Sequence, residues 1–167
     1  MAEARLGKEG DWQELDGIEA NREVSVQMAQ QVRRNLDLFT QDLDPNLYDD
    51  ADFVDAVTRL GSSGPNARIR ILVNDPTTAI RQGHRLLAVA QRLPSFVEIR
   101  QPEEGQRSLA EAWLIADGCG VVRRTLATSY RAQASFNASA EARQLLHRFD
   151  LIWEHATVPN DLRRLSL

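Results

Sequence analysis

The sequence predicts an α/β domain: a mixed, largely parallel sheet with helices on both faces. Three observations carry this expectation. Apolar runs of strand length alternate with segments of helical period along most of the chain. One run, Ala67 to Val73 (Ala-Arg-Ile-Arg-Ile-Leu-Val), passes from alternation into an unbroken apolar end, which suits a central strand covered on both faces. Finally, successive strands are separated by segments long enough to hold a helix, as parallel crossovers require. A chain of 167 residues fits one domain. Such a length buries about 70% of the surface exposed when unfolded.

Residues 1–20 hold Gly7, Gly10 and Gly17, several acids and little periodicity. They read as a mobile arm in which Trp12, Leu15 and Ile18 are the residues able to dock. A helix is expected from Glu23, where Val24, Met28 and Val32 recur at spacing four, with Arg33 and Arg34 near its end. Leu36 to Thr40 alternates as a strand. Asp44-Pro45-Asn46 is turn chemistry. Asp49, Asp50 and Asp52 then bring negative charge to the start of a helix that buries Phe53, Val54, Val57 and Leu60 and ends across Gly61 to Gly64.

After the strand ending at Val73, Asp75 is the expected N-cap and Pro76 the first helical residue. That helix continues to about Leu93, before Pro94. Phe96 to Arg100 alternates again, and Gln101 to Ser108 is a polar loop. Glu111–Ala116 and Val121–Arg124 form a hairpin around Asp117-Gly118-Cys119-Gly120. The final helix starts near Asn137 or Ser139 and carries one apolar stripe: Ala142, Leu145, Leu146, Phe149, Ile152, Trp153 and Ala156. Val158-Pro159 ends it. The domain proper is thus 21–158, with 159–167 as a C-terminal tail.

Composition narrows the function classes. At 43% apolar and 26% charged, the chain is ordinary for a globular protein. Its net charge of −4 gives no overall attraction to nucleic acid or anionic membrane, so neither is an expected partner. Lys8 is the only lysine. The excess of arginine fits a G+C-rich coding bias, and arginine suits planar contacts to carboxylate or phosphate. Cys119 is the only cysteine, which rules out an intrachain disulfide. Met1 to Gly10 lacks the apolar core of a signal peptide, and no apolar run approaches the ~20 residues of a membrane helix. A soluble cytoplasmic protein of bacterial type is expected. His84, His147 and His155 are scattered, so no metal or other cofactor is expected. Gly118-x-Gly120 leads into a strand rather than a helix, unlike a nucleotide loop, and no Gly-x-Ser-x-Gly elbow is present.

Leu109 to Arg124 (Leu-Ala-Glu-Ala-Trp-Leu-Ile-Ala-Asp-Gly-Cys-Gly-Val-Val-Arg-Arg), with the element order from Leu36 to about His155, resembles one half of a phospholipase-D-like domain. The active strand of that family reads His-x-Lys, with an Asp beyond four intervening residues. The resemblance implies two such sets meeting at a pseudo-twofold or dimer interface. One histidine attacks phosphorus, the other protonates the leaving group, and lysines stabilise the phosphoryl oxygens. Aligned on Asp117, this chain has Ala110 in the histidine position and Ala112 in the lysine position. Leu43-Asp44-Pro45, Ile69 to Val73 and Phe149-Asp150-Leu151-Ile152-Trp153 also resemble an uncharacterised bacterial family with a degenerate domain of this kind. Members of that family occur alone or behind an acetyltransferase-like domain, and no acetyltransferase pattern is visible here.

The resemblance implies a non-catalytic binding or regulatory module. One half is supplied per chain, so a homodimer is the natural arrangement. Arg123, Arg124 and Arg131, with Ser129 and Tyr130, cluster where the family's cleft would open. With His84 and Asp117 they are the candidate contacts for a small anionic ligand. The competing reading is a solvated strand end for the arginines, a turn residue for Asp117, and for His84 a helix residue beside Ile80 and Leu87 bonded to a carbonyl. Two alternatives remain. One is a divergent phosphodiesterase or hydrolase using His84, Arg123, Arg124 and Asp117. The other is a structural interaction domain docking through the arm near Trp12.

Overall fold

The computed structural model describes residues 4–165. Its first half comprises β1 (Gln13–Asp16), α1 (Ile18–Gln31), β2 (Asn35–Thr40), α2 (Pro45–Tyr48), α3 (Ala51–Ser62) and β3 (Arg68–Val73). Then follow α4 (Thr77–Gln82), α5 (Arg85–Arg92), β4 (Val97–Arg100), β5 (Ala112–Ala116), β6 (Gly120–Arg124), β7 (Arg131–Ser135), α6 (Ser139–His155) and α7 (Asn160–Leu165). The strands form one sheet in the order β1-β7-β6-β5-β2-β3-β4. β2 pairs with β3 and β3 with β4 in parallel, and every other pairing is antiparallel.

Both faces of the sheet are covered, as the apolar end of β3 requires. On one face, α1, α3 and α5 bury Met28, Phe53, Val57, Leu86 and Val89 against Leu38, Ile71 and Leu114. On the other, α6 alone lays Leu145, Phe149, Ile152 and Trp153 over Phe39, Leu72, Trp113 and Ile115. Arginines complete this thinner layer. The guanidinium of Arg70 lies 4.7 Å from the Phe149 ring centre, that of Arg100 4.2 Å from Trp153, and that of Arg148 4.8 Å from Trp113. Asp37 and Arg70 are side by side on β2 and β3, with Arg70 Nε donating to Asp37 at 2.7 Å and Nη1 to Asp150 on α6 at 2.8 Å. A planar cation that stacks and donates along its edge fits such a layer, and an ammonium does not. Part of the arginine excess is therefore core packing.

The mixed sheet with helices on both faces is as expected, although antiparallel pairings outnumber parallel ones. The difference comes from β5, which runs antiparallel to β2, and from two strands absent from the sequence reading. β7 is Arg-Ala-Gln-Ala-Ser, whose weak strand propensity hides a buried pair, Ala132 and Ala134. β1 falls within the stretch read as an arm and has one buried residue, Leu15, with Glu14 and Asp16 exposed. A short, charged strand of this kind suits a sheet edge. α1 starts at Ile18, not Glu23. The single helix expected from Pro76 to Leu93 is two helices, because Gly83 turns left-handed at φ 67° and ends α4. Asn160–Leu165, read as tail, is the helix α7.

Candidate functional site

The C-terminal ends of β2, β3 and β6 and the N-terminal ends of β5 and β7 converge on one end of the sheet, the mouth. Crevices outside the carboxyl ends of parallel strands are where open α/β sheets bind ligands. Ala112 opens β5 at this mouth, buried and directly opposite Arg124 of β6. Ala110 precedes the strand and is exposed, and its carbonyl accepts the Ala127 N–H at 2.7 Å. Neither methyl can attack phosphorus or neutralise a phosphoryl oxygen.

Arg124 fills the space over Ala112. It is only 4% exposed, and its Nη1 donates to the Ala127 carbonyl at 2.9 Å. The guanidinium lies 5.5 Å from the ring centre of Tyr130. Tyr130 donates its hydroxyl to Asp44 at 2.7 Å and accepts from the Asn46 amide at 3.1 Å. Burial and the Asp44 bond both raise the Tyr130 phenol. Burial also raises the Tyr48 phenol, which Arg124 draws partly back. Asp42 is raised by burial and by its neighbour Asp44, with Arg124 opposing. The guanidinium is thus surrounded by groups of this chain.

A ladder of amides laces the rest of the mouth. Gln101 donates to the Asn74 carbonyl at 3.0 Å, and Asn74 donates to Gln41 Oε1 at 2.9 Å. Gln41 in turn donates to the carbonyls of Leu109 at 2.6 Å and Glu111 at 2.8 Å. These bonds join the ends of β4, β3 and β2 to the entry of β5, so the strand ends are tied to one another. Sequence reading singled out none of Gln41, Asp42, Tyr48 or Asn74. The available signal was position, since Gln41 and Asn74 each directly follow the last residue of a central strand.

The predicted site residues do not form one cluster. Arg123 and Arg124 are successive strand residues and point to opposite faces. Arg123 lies on the α6 side, where Nη2 donates to Glu111 at 2.9 Å and Nη1 pairs with Glu141. Arg148 donates to the other Glu111 oxygen at 2.8 Å. Against the upward push of burial, these two arginines hold the Glu111 carboxyl below its usual range. Arg131 is exposed at the start of β7. The Ser129 hydroxyl accepts its N–H at 3.2 Å.

His84 is 3% exposed and caps α5, its Nδ1 accepting the Leu86 N–H at 3.1 Å. Burial, only partly opposed by Asp49, depresses its pKa. Asp117 stands at the far end of β5, a strand length of roughly 15 Å away. It adopts φ 51° in the hairpin turn, and its carboxylate accepts the N–H groups of Arg33 at 2.9 Å, Arg34 at 2.9 Å and Asn35 at 3.0 Å. It therefore ties the turn before β2 to the hairpin. Among the described residues, no group of three or more His, Cys, Asp or Glu could hold a metal ion. No helix among them is long and apolar enough to cross a membrane.

A family model described as a domain of unknown function (DUF7931) matches residues 17–165. The chain belongs to the DUF7931 family. No curated protein matches it. Among solved structures, it is similar to Nuc from Salmonella typhimurium, a phospholipase D family member, at TM-score 0.65 and 13% identity, covering 89% of this chain and 97% of that one. It is also similar to NucT from Helicobacter pylori, at TM-score 0.60 and 7% identity, covering 89% of this chain and all of the other. TrmBL2, an archaeal chromatin protein described with a novel mode of DNA binding, matches at TM-score 0.64 and 16% identity over 89% of this chain. The match spans 54% of TrmBL2, about half its length. At such identities the likeness shows the fold, which is phospholipase-D-like.

Proposed function

We propose that the protein is a non-catalytic phospholipase-D-like module that binds or regulates, and that it works as a homodimer. The observation supporting this reading is the Ala110–Ala112 pair at the mouth, with Arg124 sealed over Ala112 by carbonyls and phenols. A phosphodiester entering there meets no imidazole or ammonium at these two positions, and the exposed Arg131 at the start of β7 is left as a contact for its charge. The anionic ligand expected at Arg123 and Arg124 would have to displace Glu111 and Glu141 from one and backbone carbonyls from the other. The test is hydrolysis of bis(4-nitrophenyl) phosphate and of DNA by the full chain. Rates equal to the protein-free control are expected. Turnover that disappears in both His84→Ala and Arg124→Met would instead establish the divergent hydrolase.

The dimer reading draws on the single half-domain and on Leu126, which is 52% exposed in the loop following β6 at the mouth. Sedimentation should show a dimer that Leu126→Asp weakens, with far-UV circular dichroism unchanged. A wild-type monomer at tens of micromolar would sink this part. The nucleic-acid reading suggested by TrmBL2 has less support, because the mouth loops carry Asp42, Asp44, Asp49, Asp50 and Asp75, and the net charge is −4.

A further inference from the structure

At the hairpin end, opposite the mouth, the N-terminal segment is strapped across the sheet. Gln31 clamps it from both sides, accepting the Leu6 N–H at 2.7 Å and donating to the Ala4 carbonyl at 2.9 Å. Gly7 N–H donates to the Phe136 carbonyl at 2.7 Å. The Leu6 side chain packs over Gly120, where an added Cβ would lie 2.5 Å from Leu6 Cδ1. This strap, the end of α1 and the hairpin line a half-open pocket of about 740 Å³, well within the size range of small-molecule sites.

Arg5 and Lys8 from the strap and Arg33 from the turn after α1 line it, with Asp117 and Cys119 from the hairpin. Among the described residues, no carboxylate lies within salt-bridge distance of any of these three cations. The one carboxylate in the wall, Asp117, is occupied by three backbone N–H groups. The negative end of α1 accounts for one cation nearby. It does not account for two more delivered by a separate, clamped segment.

We propose that this cavity binds a small polyphosphorylated molecule, with Arg5, Lys8 and Arg33 as its contacts. Three cations lining one pocket suit a compact ligand of several negative charges better than a single carboxylate. The net charge of −4 and the size of the pocket favour a small molecule over a nucleic-acid strand. The proposal is independent of whether the mouth is catalytically silent.

The experiment is calorimetric and thermal titration of the full chain with inorganic pyrophosphate at low ionic strength. A rise in midpoint of about 5–10 °C is expected at a hundredfold excess over Kd. Lys8→Ala and Arg33→Ala should each weaken binding about tenfold. Both residues are exposed, so the unliganded midpoint should not move. Arg131→Ala, at the mouth, should leave Kd unchanged. Absence of pyrophosphate binding at about 10 mM would overturn the proposal, as would binding indifferent to Lys8 and Arg33. A short DNA duplex held more tightly through the same three residues would overturn the small-molecule assignment.

Discussion

At the mouth, Arg124 is buried among carbonyls and the Tyr130 ring, whereas at the hairpin end Arg5, Lys8 and Arg33 line a pocket with, among the described residues, no acidic side chain paired to them. The two ends use polar groups differently. The mouth turns its own inward, as the Gln101–Asn74–Gln41 ladder also does, and so holds the strand ends together. The hairpin end engages Asp117, and Glu9 of the strap, with backbone N–H groups and, among the described residues, leaves three cations available to an outside partner. Most of the mouth's polar groups are thus paired within the chain, and among the described residues the end opposite keeps unmatched charge.

The sharpest way to break the contrast is Arg124→Met. It strands the Ala127 carbonyl and removes the guanidinium from its buried place beside the Tyr130 ring, so urea titration should show a loss of about 3 kcal/mol. Pyrophosphate binding by the surviving folded protein should be unchanged. Asp117→Ala attacks the other end and should cost about 2 kcal/mol, because three N–H groups lose their acceptor and an alanine must hold φ 51°. Asp117→Asn, which keeps an acceptor and tolerates that backbone, should lose clearly less.

Gly120→Ala is smaller still, about 1–2 kcal/mol, since its methyl must push Leu6 off its seat. Its signature is local: trypsin should cut after Arg5 and Lys8 faster than in the wild type, while the mouth is unaffected. An unchanged cleavage rate would refute the strap.

The subtlest test is pH. The pKa of His84 is lowered from an ordinary 6.5 by burial, and its Nδ1 must stay unprotonated to accept from Leu86. The unfolded chain therefore binds the proton more readily, so His84 contributes stability above pH 6.5 that is lost as pH falls below it. Glu111, lowered from 4.5, adds a second loss in the more acid range. Midpoints measured from pH 8 to 5 should decline for the wild type and be flatter for His84→Asn, whose amide oxygen can cap α5 without titrating.

Much of the framework was legible in the chain itself. The Ile69–Val73 run, the Asp-Gly hairpin and the stripe from Ala142 to Trp153 each state their element through periodicity and local turn chemistry, and all three appear where expected. β7 was hidden because Ala132 and Ala134 pack as strand residues only when α1 lies against them. β1 was hidden because a four-residue edge strand with one apolar side chain carries almost no pattern. The helix break at Gly83 was missed because a glycine within a periodic segment reads equally as tolerated or terminal.

The site residues show the same division. Sequence alone determined that positions 110 and 112 are alanines, which carry no imidazole or ammonium whatever the fold, and that β5 is apolar enough to be found without coordinates. Only the tertiary structure decided that Arg123 and Arg124 face opposite ways, that Asp117 lies a strand's length from them, and that Lys8, Arg5 and Arg33 share a cavity. Side-chain identity is local information, whereas the pairing of charges depends on which segments folding brings within a few ångströms, and Coulombic contacts between distant parts of a chain leave no periodic trace.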